Sequence, residues 1–345
     1  MTRHELQQAA FGSGPDPLWV PLLSHYAPDT GPVRFDRLRT HAHIQAVRPY
    51  ASQFLIAGLT GDGWEMAEPQ FRQLLEWLRS NDVFDIDCRV LIGTPGRTTD
   101  EVLECIRTVS DALPDLGQPP SPFVGIVVCP PVNETANQDQ IEAHFRTVLD
   151  NTTMPVAVYQ LPRVTGCRIQ PKTLQKLALD EPRVILFVDS SGPDFIAKSG
   201  TYLDDLILVR GADGGYAEAL EPIGPYDGLL VSTANVFARE LREILDLLSG
   251  GAGDAARAKS ADLAGLAKRL FAAVGSLPVG NTFANANRIV DHFLACGAQW
   301  NQLEPPLLHN GSTYELDLMT EMARIVNEAI GLPHTGYLAR QGWSF

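Results

Sequence analysis

The sequence is poor in positive charge and contains no long apolar run. Its 345 residues include 27 Lys and Arg against 41 Asp and Glu, and the formal net charge of −14 disfavours binding to a phosphate backbone. No apolar stretch approaches the roughly 18 residues that a transmembrane helix requires, and the first residues lack the apolar centre of a secretory signal. We therefore expect a cytoplasmic protein that binds neither nucleic acid nor membranes.

Metal-binding and redox motifs are also missing. The five cysteines are scattered and form no C-x-x-C pair, which argues against a disulfide framework and a structural zinc site. His41 and His43 form an H-x-H pair inside a predicted helix, where side chains two residues apart point about 200° away from each other. The sequence therefore predicts no metal site and no bound cofactor.

What the sequence does contain is an alternation of short apolar segments and segments of helical period. Strands are predicted at 19–23, 53–59, 88–93, 123–129, 155–159, 184–188, 206–210 and 228–232. Helices are predicted between them at 35–47, 71–78, 99–113, 140–149, 172–179, 194–198 and 216–220. Nearly continuous apolar strands indicate burial on both faces, and eight βα units favour a closed barrel over an open sheet. The first βα turn also lacks the G-x-G-x-x-G of dinucleotide-binding sheets.

We therefore predict an α/β protein with a (β/α)8 TIM barrel over residues 15–249. The last barrel helix is predicted at 235–248, and the glycine-rich segment SGGAGD follows it at 249–254. Helices predicted at 255–274, 285–296 and 316–330 form a C-terminal helical extension over residues 250–345. This extension is expected to pack on the barrel or on a neighbouring subunit.

Catalytic groups of such barrels lie at the C-terminal ends of the strands, which selects a small set of polar residues. Tyr159 ends an otherwise apolar strand, where its phenol can transfer a proton or simply fill the barrel rim. His25 follows the first strand and is a candidate base, paired with Asp62 or Asp189 or sharing a metal with carboxylates. A hydrogen-bonded structural histidine is the alternative for His25.

Five strings at these strand ends resemble the dihydrodipicolinate synthase / N-acetylneuraminate lyase family. The counterparts in that family are GTTGEG, PPYYN with a following HF, LYNVPxRTG, KDSSG and GVISVTAN. In this chain they read GLTGDG (58–63), CPPVN (129–133) with AHF (143–145), VYQLPRVTG (158–166), VDSSG (188–192) and GLLVSTAN (228–235). The resemblance runs from about residue 17 to about residue 330 and implies a class I aldolase-type barrel that acts on pyruvate or related 2-oxo acids.

The resemblance also shows where this chain departs from the family. The family lysine that attacks the 2-oxo acid to form an imine is replaced by Val188, and a hydrocarbon side chain forms no imine. Leu59 and Val132 stand at positions of the family's proton relay, which leaves Tyr159 of that relay. Arg163 lies one place before the family's carboxylate-binding arginine.

The remaining site residues follow from the strand ends and from the resemblance together. Tyr159, His25 and Asp189 are the predicted catalytic residues. The predicted substrate-binding residues are Thr60, Gly61, Arg163, Arg210, Gly211 and Leu230. Arg210 can supply the carboxylate partner that the shifted Arg163 no longer provides, or it can form a rim ion pair with Asp213 or Asp189.

Two functional hypotheses remain at this point. In one, the protein is a carbon–carbon lyase that acts on a small 2-oxo acid or sugar acid without the lysine imine. In the other, it is a catalytically silent barrel that binds a small carboxylate or a partner. The resemblance also implies a homo-oligomer, a dimer or a tetramer.

Overall fold

Eight parallel strands form a closed barrel in the computed structural model, which describes residues 1–31, 33–80, 83–203, 205–220, 222 and 224–343. The strands are β1 (Leu18–Pro21), β2 (Gln53–Ile56), β3 (Arg89–Gly93), β4 (Phe123–Val128), β5 (Val156–Gln160), β6 (Val184–Asp189), β7 (Ile207–Arg210) and β8 (Gly228–Leu230). Each strand pairs in parallel with the next, and β8 pairs with β1. The predicted TIM barrel is therefore confirmed.

The strands are buried on both faces, as their continuous apolar sequences predict. Inside the barrel, Leu55, Leu91, Leu186 and Leu230 belong to one apolar cluster that fills the ring. The opposite faces of the strands pack against the surrounding helices in the main hydrophobic core. This apolar filling leaves polar groups only at the ends of the strands.

Helices connect most of the strands. They are α2 (Arg37–Val47), α3 (Glu68–Ser80), α4 (Thr99–Ala112), α5 (Gln138–Asp150), the short α6 (Pro162–Thr165), α7 (Pro171–Asp180) and α8 (Ala238–Ser249). A 3-10 turn at Ser232–Asn235 lies between β8 and α8.

The helices predicted at 194–198 and 216–220 are wrong, because both segments form single turns. Asp194, at φ 58°, begins the first segment, and Gly214 and Gly215, at φ 94° and 60°, directly precede the second, so the backbone is left-handed where each helix was expected to begin. Loops therefore connect β6 to β7 and β7 to β8.

Several elements were not predicted, among them the single-turn helix α6 and the 3-10 turn. Helix α1 (Arg3–Phe11) covers the N-terminal end of the barrel, where Phe11 meets Trp19 edge to face with ring centroids 5.8 Å apart. Arg3 fixes this helix by donating to the carbonyl of Val184 on β6 at 2.6 Å. A small antiparallel hairpin, Tyr26–Ala27 with Arg34–Phe35, follows β1.

The C-terminal extension consists of α9 (Gly253–Val274), α10 (Thr282–Cys296), α11 (Leu316–Ile330) and α12 (Tyr337–Arg340). The predicted boundary at 249/250 falls in the turn between α8 and α9. Helix α10 is buried along nearly its whole length and contacts the 3-10 turn of the barrel. The extension thus packs on the barrel of its own chain. No helix in the described part of the chain has the length and apolarity needed to cross a bilayer.

Candidate functional site

A cavity of about 240 Å³ opens at the C-terminal ends of the barrel strands, and we call it the mouth cavity. Its polar lining consists of Thr60, Tyr159, Arg163, Ser190, Asp213 and Ser232. Its apolar lining includes Leu55, Leu59, Leu230, Phe271 and Phe283, the last two contributed by the extension. Among the predicted site residues, the structure brings Thr60, Tyr159, Arg163, Gly211 and Leu230 together here.

Tyr159 lies at the inner wall of the mouth cavity. Its phenolic oxygen is 2.9 Å from Ser190 Oγ, on the loop that follows β6. Burial raises the pKa of Tyr159 above its ordinary value, even though the hydrogen bond to Ser190 favours ionisation. Tyr159 is therefore a neutral phenol near pH 7 and can donate a hydrogen bond to a bound ligand.

Asp213 brings a carboxyl group to the same cavity. Its two oxygens accept hydrogen bonds from the backbone N–H and the hydroxyl of both Ser232 and Thr233, with the hydroxyls at 2.7 and 2.6 Å. Burial raises the pKa of Asp213 in spite of these donors. The sequence places Asp213 among the polar residues that follow the barrel strands, but it was not predicted as a site residue. Asp213 lies just after β7, and Ser232 and Thr233 lie just after the neighbouring strand β8. This placement is the signal in the sequence that could have identified Asp213.

Arg163 supplies the positive charge of the mouth cavity. It lies on the single-turn helix α6, which Gly166 ends at φ 73°. The guanidinium of Arg163 lies over the ring of Phe283, 5.2 Å from its centroid. Among the described residues, no carboxylate lies within ion-pair distance of Arg163, although the stacked ring fixes its position. This cation is therefore available to a ligand.

Val188 is fully buried at the end of β6, next to Tyr159 in the strand pairing. A Cβ on Gly211 would lie 2.1 Å from Ser190 Oγ and 3.1 Å from a methyl group of Val188, which explains glycine at this position. The chain has five lysines, and none lines the mouth cavity. Three of them form ion pairs elsewhere: Lys176 with Glu142, Lys198 with Asp194 and Lys259 with Glu243.

Four predicted site residues lie outside the cavity lining: Asp189, Arg210, Gly61 and His25. Asp189 is fully buried and accepts a hydrogen bond from the backbone N–H of Ser191 at 2.8 Å. Arg210 pairs with Asp194 at 2.9 Å, and not with Asp213 or Asp189 as the alternative supposed. Gly61 packs against β1, since a Cβ on it would lie 2.5 Å from the carbonyl oxygen of Leu22.

His25 belongs to a different group of polar residues, His25, His43 and Asp291, which we call the His–Asp cluster. His25 Nε2 lies 3.0 Å from Asp291 Oδ2, and His43 Nδ1 lies 2.8 Å from Asp291 Oδ1. Arg39 and Tyr337 also donate hydrogen bonds to the Asp291 carboxylate. His25 is therefore paired with neither Asp62 nor Asp189.

Burial and the nearby Arg39 guanidinium lower the pKa of His25 to about 3. Its imidazole is therefore neutral at pH 7. Burial opposes ionisation of Asp291, but Arg39 and His43 outweigh it and hold the pKa of this carboxyl well below its ordinary value. The sequence singled out His25 but not Asp291 or His43 as its partners, because Asp291 lies in the extension, far along the chain from His25.

A second buried ion pair holds the loop after β2. Asp62, at φ 56°, pairs with Arg288 of α10 and accepts a hydrogen bond from the hydroxyl of Tyr26 at 3.0 Å. Both charged side chains are at most 1% exposed. The extension thus fixes the loop that carries Thr60 into the mouth cavity.

A parallel eight-stranded barrel with a polar cavity at its C-terminal rim defines the class of TIM-barrel proteins, whose functional sites lie at this face. The family model for the dihydrodipicolinate synthetase family matches residues 20–291, and the chain belongs to this family.

The relatives agree with this assignment. The 4-hydroxy-tetrahydrodipicolinate synthase of Synechococcus sp. (strain CC9605) is 28% identical over 227 residues, which cover 65% of this chain and 71% of that protein. The synthase of Escherichia coli (strain K12) is 24% identical over 230 residues, 66% of this chain and 74% of its own length.

Solved structures show the same fold. YagE from E. coli K12, a dihydrodipicolinic acid synthase family protein solved with pyruvate, superposes with a TM-score of 0.71 at 18% identity over 91% of this chain and 98% of its own. CdNal from Clostridium difficile, solved with mannosamine, gives a TM-score of 0.70 at 12% identity over the same shares.

Proposed function

We propose that the mouth cavity binds a small carboxylate of the 2-oxo-acid or sugar-acid class. The observation that carries this proposal is the guanidinium of Arg163, which stacks on Phe283 at the cavity without a carboxylate partner among the described residues. The Thr60 hydroxyl and the Tyr159 phenol add hydrogen-bond donors. The volume of about 240 Å³ suits a small metabolite, since pockets for drug-sized ligands usually exceed about 300 Å³.

The chemistry that we propose is acid–base lyase chemistry that does not pass through a lysine imine. Val188 offers no nucleophile, and none of the lysines lines the cavity. Tyr159 can donate a proton through its contact with Ser190, and Asp213, with its raised pKa, can hold or accept one. Cleavage of a carbon–carbon bond is the reaction that family membership suggests.

A second candidate function is ligand binding without turnover. It is favoured by the apolar side chain of Val188 directly beside Tyr159, because no side chain there can accept the electron pair that carbon–carbon cleavage releases. In either case we expect a homo-oligomer, a dimer or a tetramer, which light scattering of the purified chain will test.

The imine proposal is tested by borohydride reduction in the presence of pyruvate, followed by mass spectrometry. We expect no reduced adduct in the wild type and an adduct in Val188→Lys, which places an amine beside Tyr159. An adduct in the wild type would refute the proposed mechanism. If Val188→Lys folds, as circular dichroism will show, and still gives no adduct, the cavity does not admit pyruvate.

Ligand binding is tested by calorimetric titration with pyruvate and with hydroxylated 2-oxo acids. Arg163→Ala should weaken binding by about 10-fold or more, the range for a lost hydrogen bond to a charged group. Arg168→Ala removes an exposed arginine outside the cavity and is the matched control. If Arg163→Ala binds the ligand as tightly as Arg168→Ala, Arg163 does not contact the ligand and the proposal is wrong. Turnover screens of the same compounds then separate a lyase from a silent binder.

A further inference from the structure

The His–Asp cluster has an unusual contact at its centre. The Asn235 amide is oriented by three hydrogen bonds: its Nδ2 donates to the carbonyls of Pro21 and Ser232, and its Oδ1 accepts from the N–H of Leu23. The Oδ1 atom also lies 3.1 Å from His43 Nε2. Since an amide oxygen only accepts, His43 must carry a proton on Nε2.

With its proton on Nε2, a neutral His43 ring carries a lone pair and no proton on its other nitrogen, Nδ1. Nδ1 is buried, lies 2.8 Å from Asp291 Oδ1 and makes no hydrogen bond of acceptable geometry. A nitrogen lone pair and a carboxylate oxygen at this distance repel each other unless a positive charge lies between or beside them. Arg39 neutralises the carboxylate from its Oδ2 side, so what this contact lacks is a metal ion or a second His43 proton between Nδ1 and Oδ1.

We propose that His25 Nε2, His43 Nδ1 and the Asp291 carboxylate bind a divalent transition-metal ion of the zinc class. One ligand atom from each residue lies within 4.8 Å of the others, so small side-chain shifts bring them around one ion. Two imidazoles and one carboxylate are a donor set typical of zinc with a fourth position open to solvent.

The groups that contact the three ligand side chains are also arranged as they are around a metal site. Ligating histidines usually donate their other N–H to a fixed acceptor. His43 has Asn235 Oδ1 in this position, and His25 Nδ1 lies 3.3 Å from Thr40 Oγ1. Tyr337 donates to Asp291 Oδ1 at 2.9 Å. Binding then releases the proton that His25 Nε2 otherwise shares with Asp291.

A route from solvent to the cluster exists. A cleft of about 690 Å³, which we call the outer cleft, lies between α2, α8, α10 and residues 330–341. His43, Asn235, Asp291 and Tyr337 are part of its lining. It shares no lining residue with the mouth cavity. The outer cleft thus lies beside the buried cluster, and small shifts of its lining side chains would admit the ion together with a water molecule as the fourth ligand.

Arg39 limits the affinity of this site. Its guanidinium already contacts Asp291 Oδ2 and neutralises the carboxylate. A bound ion must act against this positive charge, so Arg39→Gln should bind the ion more tightly, by about 10-fold or more. This direction is opposite to that of any variant that removes a ligand.

The test uses the full chain after removal of metal by a chelator. Titration with Zn²⁺ by calorimetry and with Co²⁺ by visible absorption should show saturable binding at about one ion per chain, with the absorption of four-coordinate Co²⁺. His43→Ala should weaken binding by at least about 100-fold, whereas His41→Ala, on the same helix and outside the cluster, should match the wild type. Absence of saturable binding, as expected if His43 carries a second proton, would overturn the proposal, and so would equal binding by His43→Ala.

A milder variant keeps the test valid if His43→Ala does not fold. Tyr337→Phe removes a single hydroxyl that donates to Asp291. It should weaken metal binding by about 10- to 100-fold, the range for loss of a group that orients a metal ligand. Unchanged affinity in both Tyr337→Phe and Arg39→Gln would place any bound ion outside the cluster and refute the site.

Discussion

The mouth cavity and the His–Asp cluster are both assembled on the C-terminal side of the barrel, but from different parts of the chain. Thr60, Tyr159 and Asp213 reach the cavity from loops and ends of three barrel strands. The cluster instead joins a residue after β1, a residue of α2 and Asp291 of α10. The cavity is thus formed mainly by the barrel, with the extension adding its aromatic edge, whereas the cluster exists only because α10 packs on the barrel.

The two regions also differ in how their charges are compensated. Arg163 stands at the cavity without an acidic partner among the described residues. In the cluster, Asp291 is 1% exposed and contacts Arg39, His25, His43 and Tyr337. An open, uncompensated cation suits ligand binding, and a buried, fully contacted carboxylate suits fixing the fold. We therefore expect substitutions in the cavity to act mainly on binding of the carboxylate ligand, and substitutions in the cluster to act on stability as well as on binding of the proposed ion.

One short segment connects the two regions. Ser232 and Thr233 hold the carboxylate of Asp213 in the cavity, and Asn235 of the same 3-10 turn lies 3.1 Å from His43. Asn287 of α10 also donates to Ser232 Oγ at 3.2 Å. A shift of the turn thus changes both regions at once.

The largest expected effect is that of Asp291→Ala. The variant leaves the Arg39 guanidinium buried without its counter-ion, so the free energy of unfolding should fall by about 3–5 kcal/mol, as for other broken buried pairs. Urea denaturation followed by circular dichroism measures this loss. Asp213→Ala is the comparison in the mouth cavity, where the freed hydroxyls can bind water and the loss should be smaller. Equal losses of unfolding free energy in Asp291→Ala and Asp213→Ala would mean that the cluster does not stabilise the fold more than the mouth cavity does.

The cavity was largely predictable from sequence, and the cluster was not. A residue that ends a barrel strand must lie at the rim, so Tyr159 and Gly211 could be placed by strand position alone. Asp213 belongs to the same rim and follows the same rule. His25 satisfies the rule too, yet its side chain meets Asp291 across 266 residues of sequence. Such a contact depends on where α10 packs in the fold. Helical periodicity predicts the helix but not the residues that it contacts.

Local sequence was also insufficient for the two connections after β6 and β7. Apolar residues at 194–198 and 216–220 suggested helices, but Asp194 and the glycines at 214 and 215 adopt left-handed backbone conformations there. In that conformation the Asp194 side chain reaches Arg210, and this ion pair keeps the arginine out of the cavity. A tertiary ion pair thus holds a predicted substrate-binding residue away from the cavity, and the sequence around 194–198 did not predict it.

A smaller effect is expected for the pH dependence of stability in His25→Gln. The pKa of His25 falls from 6.5 to about 3 on folding, so the unfolded chain binds more protons between these pH values. This residue therefore contributes stability above pH 6.5 that is lost as the pH falls toward 3. The slope amounts to at most about 1.4 kcal/mol per pH unit for a single proton.

Denaturation of the wild type and His25→Gln across that window measures the difference in slope, with His41→Gln as the matched control for removal of a histidine near the cluster. A wild-type curve parallel to that of His25→Gln would show that His25 is not buried as a neutral ring, and would weaken the contrast between the cluster and the cavity.

The smallest effect should come from Glu65, on the loop that brings Thr60 to the mouth cavity, and its sign should be opposite. Burial, with the nearby charge of Asp62, raises the pKa of Glu65 from 4.5 to about 7, and its Oε2 has no hydrogen-bond partner. The folded protein then binds more protons than the unfolded chain between these pH values, so the contribution of Glu65 to the free energy of unfolding declines as the pH rises from 4.5 to 7.

Glu65→Gln should remove this decline, so its stability relative to the wild type should be higher at pH 8 than at pH 5. Glu304→Gln, at an exposed position, should leave the difference between the two pH values unchanged. Equal pH profiles for Glu65→Gln and the wild type would show that the cavity side of the barrel has no proton linkage of its own.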